Sequence, residues 1–265
     1  MSRESTMRDA SVALSAIDIG SVSKTYPGPG GGVHAVDDVS LTVAPREFVS
    51  VLGPSGCGKS TLLRIIGGLQ SFEGGHVRVS GHDVRNTPKE VAIVFQKSNL
   101  LAWLTVTSNL GLGARIAGMP SAEVAERVRE MISILGLEGF ENSYPHELSG
   151  GMQQRACLGQ ALVTNPEILL LDEPFGALDA LTRDRLNLEL LRIWEEQRQT
   201  VFLVTHSISE AVFLSDRVVV MSPRPGRIIE DLVIDLPRPR GIREARANPR
   251  FAELVNHLSE VMGIV

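Results

Sequence analysis

Apolar residues fall along this chain in three patterns, and each predicts a different element. Short, nearly continuous apolar runs at 48–52, 91–95, 168–171, 200–205 and 218–221 predict strands, because a strand covered on both faces has no polar side to show. Looser alternation predicts strands over Ala16 to Ser23 and Val39 to Val43, a short one at His76 to Val79, and a weaker edge strand from Ile228 to Leu236. Helical spacing gathers Ala125, Val128, Met131, Ile132 and Leu135 on one stripe of a helix over 122–135, with Glu123, Glu126 and Arg127 on its solvated side. A C-terminal helix has Phe251, Leu254, Val255, Leu258 and Val261 on its stripe. Its polar side carries Glu253, His257 and Glu260, which argues against a basic helix lying on a membrane.

Glycine and proline mark the breaks. Tyr26-Pro27-Gly28-Pro29-Gly30-Gly31-Gly32 is too rich in both for a regular element, and Gly74-Gly75, Gly81-His82-Asp83, Asn165-Pro166 and Pro237 to Gly241 read as turns. No strand pattern occurs between 105 and 166; helices are predicted there over 105–117, over 122–135 and from Ser149 through Leu162. Another helix is predicted from Leu181 to Gln197. A helical block set between strands predicts an α/β chain whose sheet core is interrupted by a helical subdomain at about 100–163. The expected organisation is a flexible N-terminus at 1–15, a main domain at 16–236, and a C-terminal turn and amphipathic helix at 237–265.

Composition narrows the setting. With 265 residues, 43% hydrophobic and 22% charged, the chain can bury a large core as an ordinary soluble globule. A net charge of −5 without a basic stripe argues against nucleic acid as a partner. No apolar run reaches the length that spans a bilayer. Met1 to Ser15 lacks the basic region and apolar core of a signal peptide, and Met7 offers a second start. Two cysteines, Cys57 and Cys157, read as free thiols in a reducing compartment, which places the chain in the cytoplasm.

The chemistry centres on Gly53-Pro54-Ser55-Gly56-Cys57-Gly58-Lys59-Ser60-Thr61, which fills the Walker A spacing between an apolar run and the helix opening at Leu62. Its glycines let backbone N–H groups curl round a phosphate chain at the positive end of a helix. Lys59 would reach the β- and γ-phosphates, and Ser60 would ligate Mg²⁺. Ile168 to Leu171 followed by Asp172-Glu173 is the Walker B pattern: Asp172 for the metal shell, Glu173 to polarise water.

Four further positions carry open readings. Gln96, straight after the 91–95 run, is either a strand-end cap or an amide touching Mg²⁺ or the attacking water. Tyr26 is either a turn tyrosine or a platform for adenine. Ser149-Gly150-Gly151 at a helix start presents free N–H groups and a hydroxyl to an anion. It is either a glycine-rich helix entry or a second phosphate grip, lent by one copy to the nucleotide of another. His206 is either an end-cap or a catalytic group, and it follows Glu173 by one strand-helix-strand crossover.

Together these residues resemble the ATP-binding cassette subunit of ABC transporters, over residues 17 to about 230. The resemblance implies a P-loop NTPase sheet core with an N-terminal antiparallel β subdomain and the inserted helical signature subdomain. It makes Tyr26 the A-loop aromatic, Gln96 the Q-loop glutamine, Ser149-Gly150-Gly151 the signature loop, Asp179 the D-loop aspartate and His206 the switch histidine. ATP and Mg²⁺ are implied, with two ATP sites completed across a head-to-tail homodimer.

The tract Phe95 to Val106, with Asp172 to Asp179 and Met221 to Ile228, is similar to the nitrate/sulfonate/taurine-type importers. This implies ATP hydrolysis powering uptake of a small anion through integral membrane permease subunits, served indirectly by a solute-binding protein, with the chain peripheral on the cytoplasmic face of the inner membrane. A groove beside Gln96, floored by the loop from Asn99 to Thr105, is expected to grip the permease. Three positions depart from that group: Ala102 for Pro, Gly159-Gln160 for Ala-Arg, and Ser207 for Asp. Ala102 is expected to loosen its loop, and Gly159-Gln160 to lose a salt link. The rival readings are an export or lipid-trafficking cassette, a non-transport cassette, and a phosphate-transfer kinase that would leave the signature loop and His206 unexplained.

Overall fold

The computed structural model describes residues 15–28, 31–176 and 178–264. The expected N-terminal tail, up to residue 14, lies outside the described residues, as do Pro29 and Gly30 of the Pro/Gly loop and Ala177 of the Asp172 to Asp179 tract.

Among the described residues, ten strands form two sheets. The smaller is antiparallel, in the order β2-β1-β4-β5: β1 Ile17–Tyr26, β2 Val33–Val43, β4 His76–Val79 and β5 His82–Asp83. The larger has the order β10-β9-β3-β8-β7-β6, with β3 Phe48–Leu52, β6 Val91–Val94, β7 Ile168–Asp172, β8 Thr200–Val204, β9 Arg217–Met221 and β10 Ile228–Val233. All its pairings are parallel except that of β10 with β9.

The larger sheet has a core on each face, and residues alternate between the two. Val49, Val51, Ile168, Leu170, Phe202 and Val204 pack toward the antiparallel sheet and helix α1 (Lys59–Ile66). Phe48, Leu52, Leu169, Leu171, Val201 and Leu203 pack into the other cluster, among the helices. Two covered faces explain why these strands read as unbroken apolar runs. Ser50 is the polar exception on β3, and its buried hydroxyl bonds that of Ser215.

Between β6 and β7 the chain is helical: α2 Val106–Leu110, α3 Leu112–Ile116, α4 Ser121–Ile134, a 3₁₀ turn at Pro145–Glu147, and α5 Gly150–Leu162. Beyond β7 come α6 Ala180–Gln197, α7 Ile208–Leu214, α8 Ile242–Ala247 and α9 Pro249–Val261. No helix among the described residues is long and apolar enough to cross a membrane.

Several details differ from the sequence expectations. The first hairpin runs longer, because the β1–β2 ladder continues to Tyr26 opposite Val33. His82-Asp83 adds a strand to β4 instead of only turning. The 91–95 run is half-buried along most of its length, since β6 lies at the sheet edge. Helix 105–117 is broken at Gly111, which caps α2. On α4 the buried position is Val124, while Ala125 faces solvent. Helix α8 carries no stripe wide enough to announce it and buries only Ala245.

Candidate active site

Strand β3 ends at Leu52 and the chain turns through Gly53 to Gly58 into α1. Gly58 sits at φ +109, and a Cβ there would lie 2.5 Å from the Ala35 carbonyl oxygen, so only glycine fits. Gly56, at φ +76, has nothing within 4 Å of its missing Cβ and faces open space. No side chain caps α1, which leaves its first-turn N–H groups to an external acceptor. Lys59 is 5% exposed, and its ammonium donates to the carbonyls of Gly53 (2.7 Å) and Pro54 (3.0 Å), with the buried Cys57 sulfur 3.9 Å away. Both cysteines are free and buried; the Cys157 thiol donates to the Ser98 hydroxyl.

The acidic side is built by β7. Asp172 is buried and accepts from the Ser60 hydroxyl at 2.6 Å. Burial pushes its carboxyl above the ordinary range, and the Ser60 hydrogen bond opposes that rise. Glu173 takes a left-handed conformation, φ +45, while its N–H donates to Val204 O. A non-glycine residue held there is locally strained. Its carboxylate receives the Gln96 amide at 3.0 Å and stands 3.3 Å from His206 Nδ1. The sheet order explains the meeting. Strands β6, β7 and β8 are parallel neighbours, so Gln96, Glu173 and His206 leave one edge together.

A cleft of about 430 Å³ joins the two sides. Ser55, Gly56, Gly58, Lys59, Ser60 and Thr61 form its floor, and Gln96 and Glu173 stand at the acidic side. The remaining wall comes from Tyr26, Val33 and Ala35, where the Tyr26 hydroxyl meets the Thr61 hydroxyl at 3.3 Å. Arg224 also lines the cleft. Sequence reasoning missed it, because an arginine in a Pro-rich turn carries no local signal of a ligand.

Ser149, Gly150, Gly151 and Asp179 do not line this cleft. They lie beside one another. A Cβ on Gly151 would meet the Thr182 methyl at 3.1 Å, and Thr182 is in the helix that Asp179 caps. Asp179 accepts from the N–H groups of Leu181 and Thr182, and these bonds hold its carboxyl below the usual carboxylate range. Ser149 is not wholly free for an anion: its hydroxyl oxygen caps α5 by accepting from Met152 N at 3.3 Å. Gly150 and Gly151 occupy the first turn, where no helical carbonyl precedes them.

The departing positions have local accounts. The loop with Ala102 is braced, not loose: buried Asn109 accepts from Leu101 N (2.8 Å) and donates to Leu104 O (2.9 Å). Gly159 lets α5 close on its neighbours, since a Cβ would stand 2.7 Å from Leu135 Cδ1. Ser207 caps α7 by accepting from Glu210 N, a task serine and aspartate both perform.

A family model described as ABC transporter matches residues 36–176. The chain is similar to an uncharacterized ABC transporter ATP-binding protein of Methanocaldococcus jannaschii, at 49% identity over 84% of each chain. It is also similar to the taurine import ATP-binding protein TauB of Rhizobium johnstonii, at 44% identity over 88% of this chain and 90% of that one. The aliphatic sulfonates import ATP-binding protein SsuB of Bacillus cereus is 43% identical over 84% and 88%. Among solved structures, a dimeric ATP-binding cassette in a post-hydrolysis state, bound to ADP and Pi, superposes with a TM-score of 0.73. It is 32% identical and covers 85% of this chain and 99% of its own.

Proposed function

The chain belongs to the ABC transporter family, and from that premise we propose that it hydrolyses ATP to drive import of a small anion of the taurine and sulfonate kind through a membrane permease. The observation that carries the reading is the Glu173 carboxylate, held between the Gln96 amide and the His206 ring at the mouth of a glycine-lined phosphate cradle. The names of the curated relatives supply the direction of transport and the class of solute.

In this reading the triphosphate lies along Gly56 to Thr61 and Tyr26 supports the adenine. Lys59 exchanges its loop carbonyls for β- and γ-phosphate oxygens, a stronger, charge-assisted pairing. Glu173 accepts a proton from the attacking water, and His206 orients the terminal phosphate. Asp172, Ser60 and Gln96 would hold Mg²⁺. They fit it because all three can offer oxygen to a hard cation, and a cation beside the buried Asp172 carboxyl would offset the desolvation that raises it. When bound, Mg²⁺ supplies charge neutralisation on the phosphate oxygens.

Ser149-Gly150-Gly151 and Asp179 form their own corner away from this cleft, so they serve the nucleotide of a second copy paired head to tail. The dimeric state of the similar cassette supports that arrangement. Trp103, 71% exposed on the braced loop beside Gln96, faces the permease. The chain is then peripheral, on the cytoplasmic face of the inner membrane.

Single-turnover hydrolysis tests the chemistry. Wild type turns over ATP, and Glu173→Gln slows the step by about 10²–10⁴-fold while it still binds ATP and pairs into a dimer. Hydrolysis by Glu173→Gln near the wild-type rate would remove Glu173 from the water-activating role.

A further inference from the structure

One cation in the cleft has no task in the reading above. Arg224 lines the same cleft as Lys59 and Glu173, and its side chain makes no hydrogen bond or ion pair with any described residue. Its neighbour Arg227 is occupied, paired with Asp37. An arginine whose guanidinium edges a phosphate-binding cleft unpaired is poised for an anion that enters it.

The sheet order says which part of the nucleotide it meets. In the order β10-β9-β3-β8-β7-β6, the phosphate loop leaves β3 while Gln96 and Glu173 leave β6 and β7 on one side. Arg224 leaves β9, on the other side of β3. It therefore approaches from the wall shared with Tyr26, Val33 and Ala35, away from the carboxylate that marks the terminal phosphate.

The turn that carries Arg224 is held in place. Gly226 N donates to Ala35 O and Asp37 N donates to Gly226 O, both at 3.0 Å. The Ser222 hydroxyl donates to Pro225 O at 3.1 Å and accepts from Arg227 N at 3.0 Å. Gly226 also lies against the phosphate loop: a Cβ there would be 2.0 Å from the Cys57 carbonyl oxygen. The arginine thus stands on a turn fastened to both the β2 wall and the phosphate loop.

We propose that Arg224 is a nucleotide-binding residue that grips the α-phosphate end of ATP and ADP alike. The inference rests on the ATP reading of the cleft. A group on that side meets a phosphate that hydrolysis leaves unchanged, so it strengthens binding before and after the reaction and does not accelerate the chemistry.

The test compares wild type, Arg224→Gln and Arg224→Lys by equilibrium binding of ADP and ATP, and by single-turnover hydrolysis at saturating ATP. Thermal melting checks that each variant is folded. Arg224→Gln is expected to bind both nucleotides about tenfold more weakly, with a saturated rate within about twofold of wild type. Arg224→Lys should fall between, keeping the charge without the planar fork. Unchanged ADP affinity in folded Arg224→Gln would overturn the proposal. So would a loss confined to ATP, which would move the contact to the γ-phosphate. A wild-type chain that bound neither nucleotide would instead remove the ATP reading and this inference with it.

Discussion

Gly226→Ala tests how the turn after β9 is joined to the phosphate loop. The new Cβ would lie 2.0 Å from the Cys57 carbonyl oxygen and 2.7 Å from the Met221 methyl, where real Cβ atoms keep at least 3.0 Å. The turn or the loop must therefore shift by about 1 Å, the difference between the two distances. That shift stretches the two 3.0 Å backbone bonds to Ala35 and Asp37 beyond hydrogen-bonding range. Losing both costs roughly 1–3 kcal/mol, and repacking around Met221 adds about 1 kcal/mol. A total of about 2–4 kcal/mol lowers the melting temperature of a chain this size by roughly 5–15 °C. Calorimetry with and without saturating ADP, and ADP titration well below the transition, measure both consequences. Affinity is expected to fall by about tenfold or more, because the same shift moves Arg224 or the Cys57 carbonyl. Gly81→Ala is the control. Gly81 has φ +79 and open space around its missing Cβ, so alanine there costs only about 1–2 kcal/mol of backbone strain and leaves ADP affinity intact. Wild-type melting in Gly226→Ala would refute the packing argument. A large melting shift with unchanged affinity would show that the turn is no wall of the nucleotide site.

Two further predictions concern buried polar groups. Glu210 accepts from the Thr205 hydroxyl behind the His206 turn; burial raises its carboxyl above the ordinary 4.5, opposed by Thr205 and Asn187 and by the charges of Arg183 and His206, with Asp184 and Arg246 along the same cavity. Its stabilising, protonated form is therefore lost as pH rises through the raised folded value, so the urea midpoint of Glu210→Gln should gain on wild type from about pH 4.5 upward; a difference constant from pH 4.5 to pH 8 would refute this. Trp194→Phe keeps the edge-on contact with Phe48 but removes the indole N–H that donates to Gln199 O at 2.8 Å in the core. The stranded carbonyl should cost about 1–3 kcal/mol in urea unfolding, and an unchanged midpoint would mean water replaces the indole.

What could be read along the chain and what could not divide by the range of the forces involved. Strand β7 was readable because both faces of its sheet are covered, which forces an apolar residue at every position from Ile168 to Leu171. The same rule misjudged the burial of β6, since edge position depends on which strand pairs last and not on the residues of β6 itself. Walker A and Asp172-Glu173 were readable because a phosphate cradle and a strand-end carboxylate are each built within a few residues. Arg224 was not, although it stands in the same cleft as Lys59. Its place follows from β9 pairing with β3 on the side opposite β8, a choice made across more than 150 residues. Ser149 and Asp179 mark the far limit of this reasoning. The glycine-rich helix start at Ser149 suggested an anion and the family resemblance singled out Asp179, yet the folded chain sets both beside Thr182 and outside the lining of its own cleft. In the head-to-tail pairing proposed above, that local signal at Ser149 would meet a nucleotide held on another copy. A site of that proposed kind is written in two distant halves, so one chain, however well its fold is read, would carry each half facing a different nucleotide.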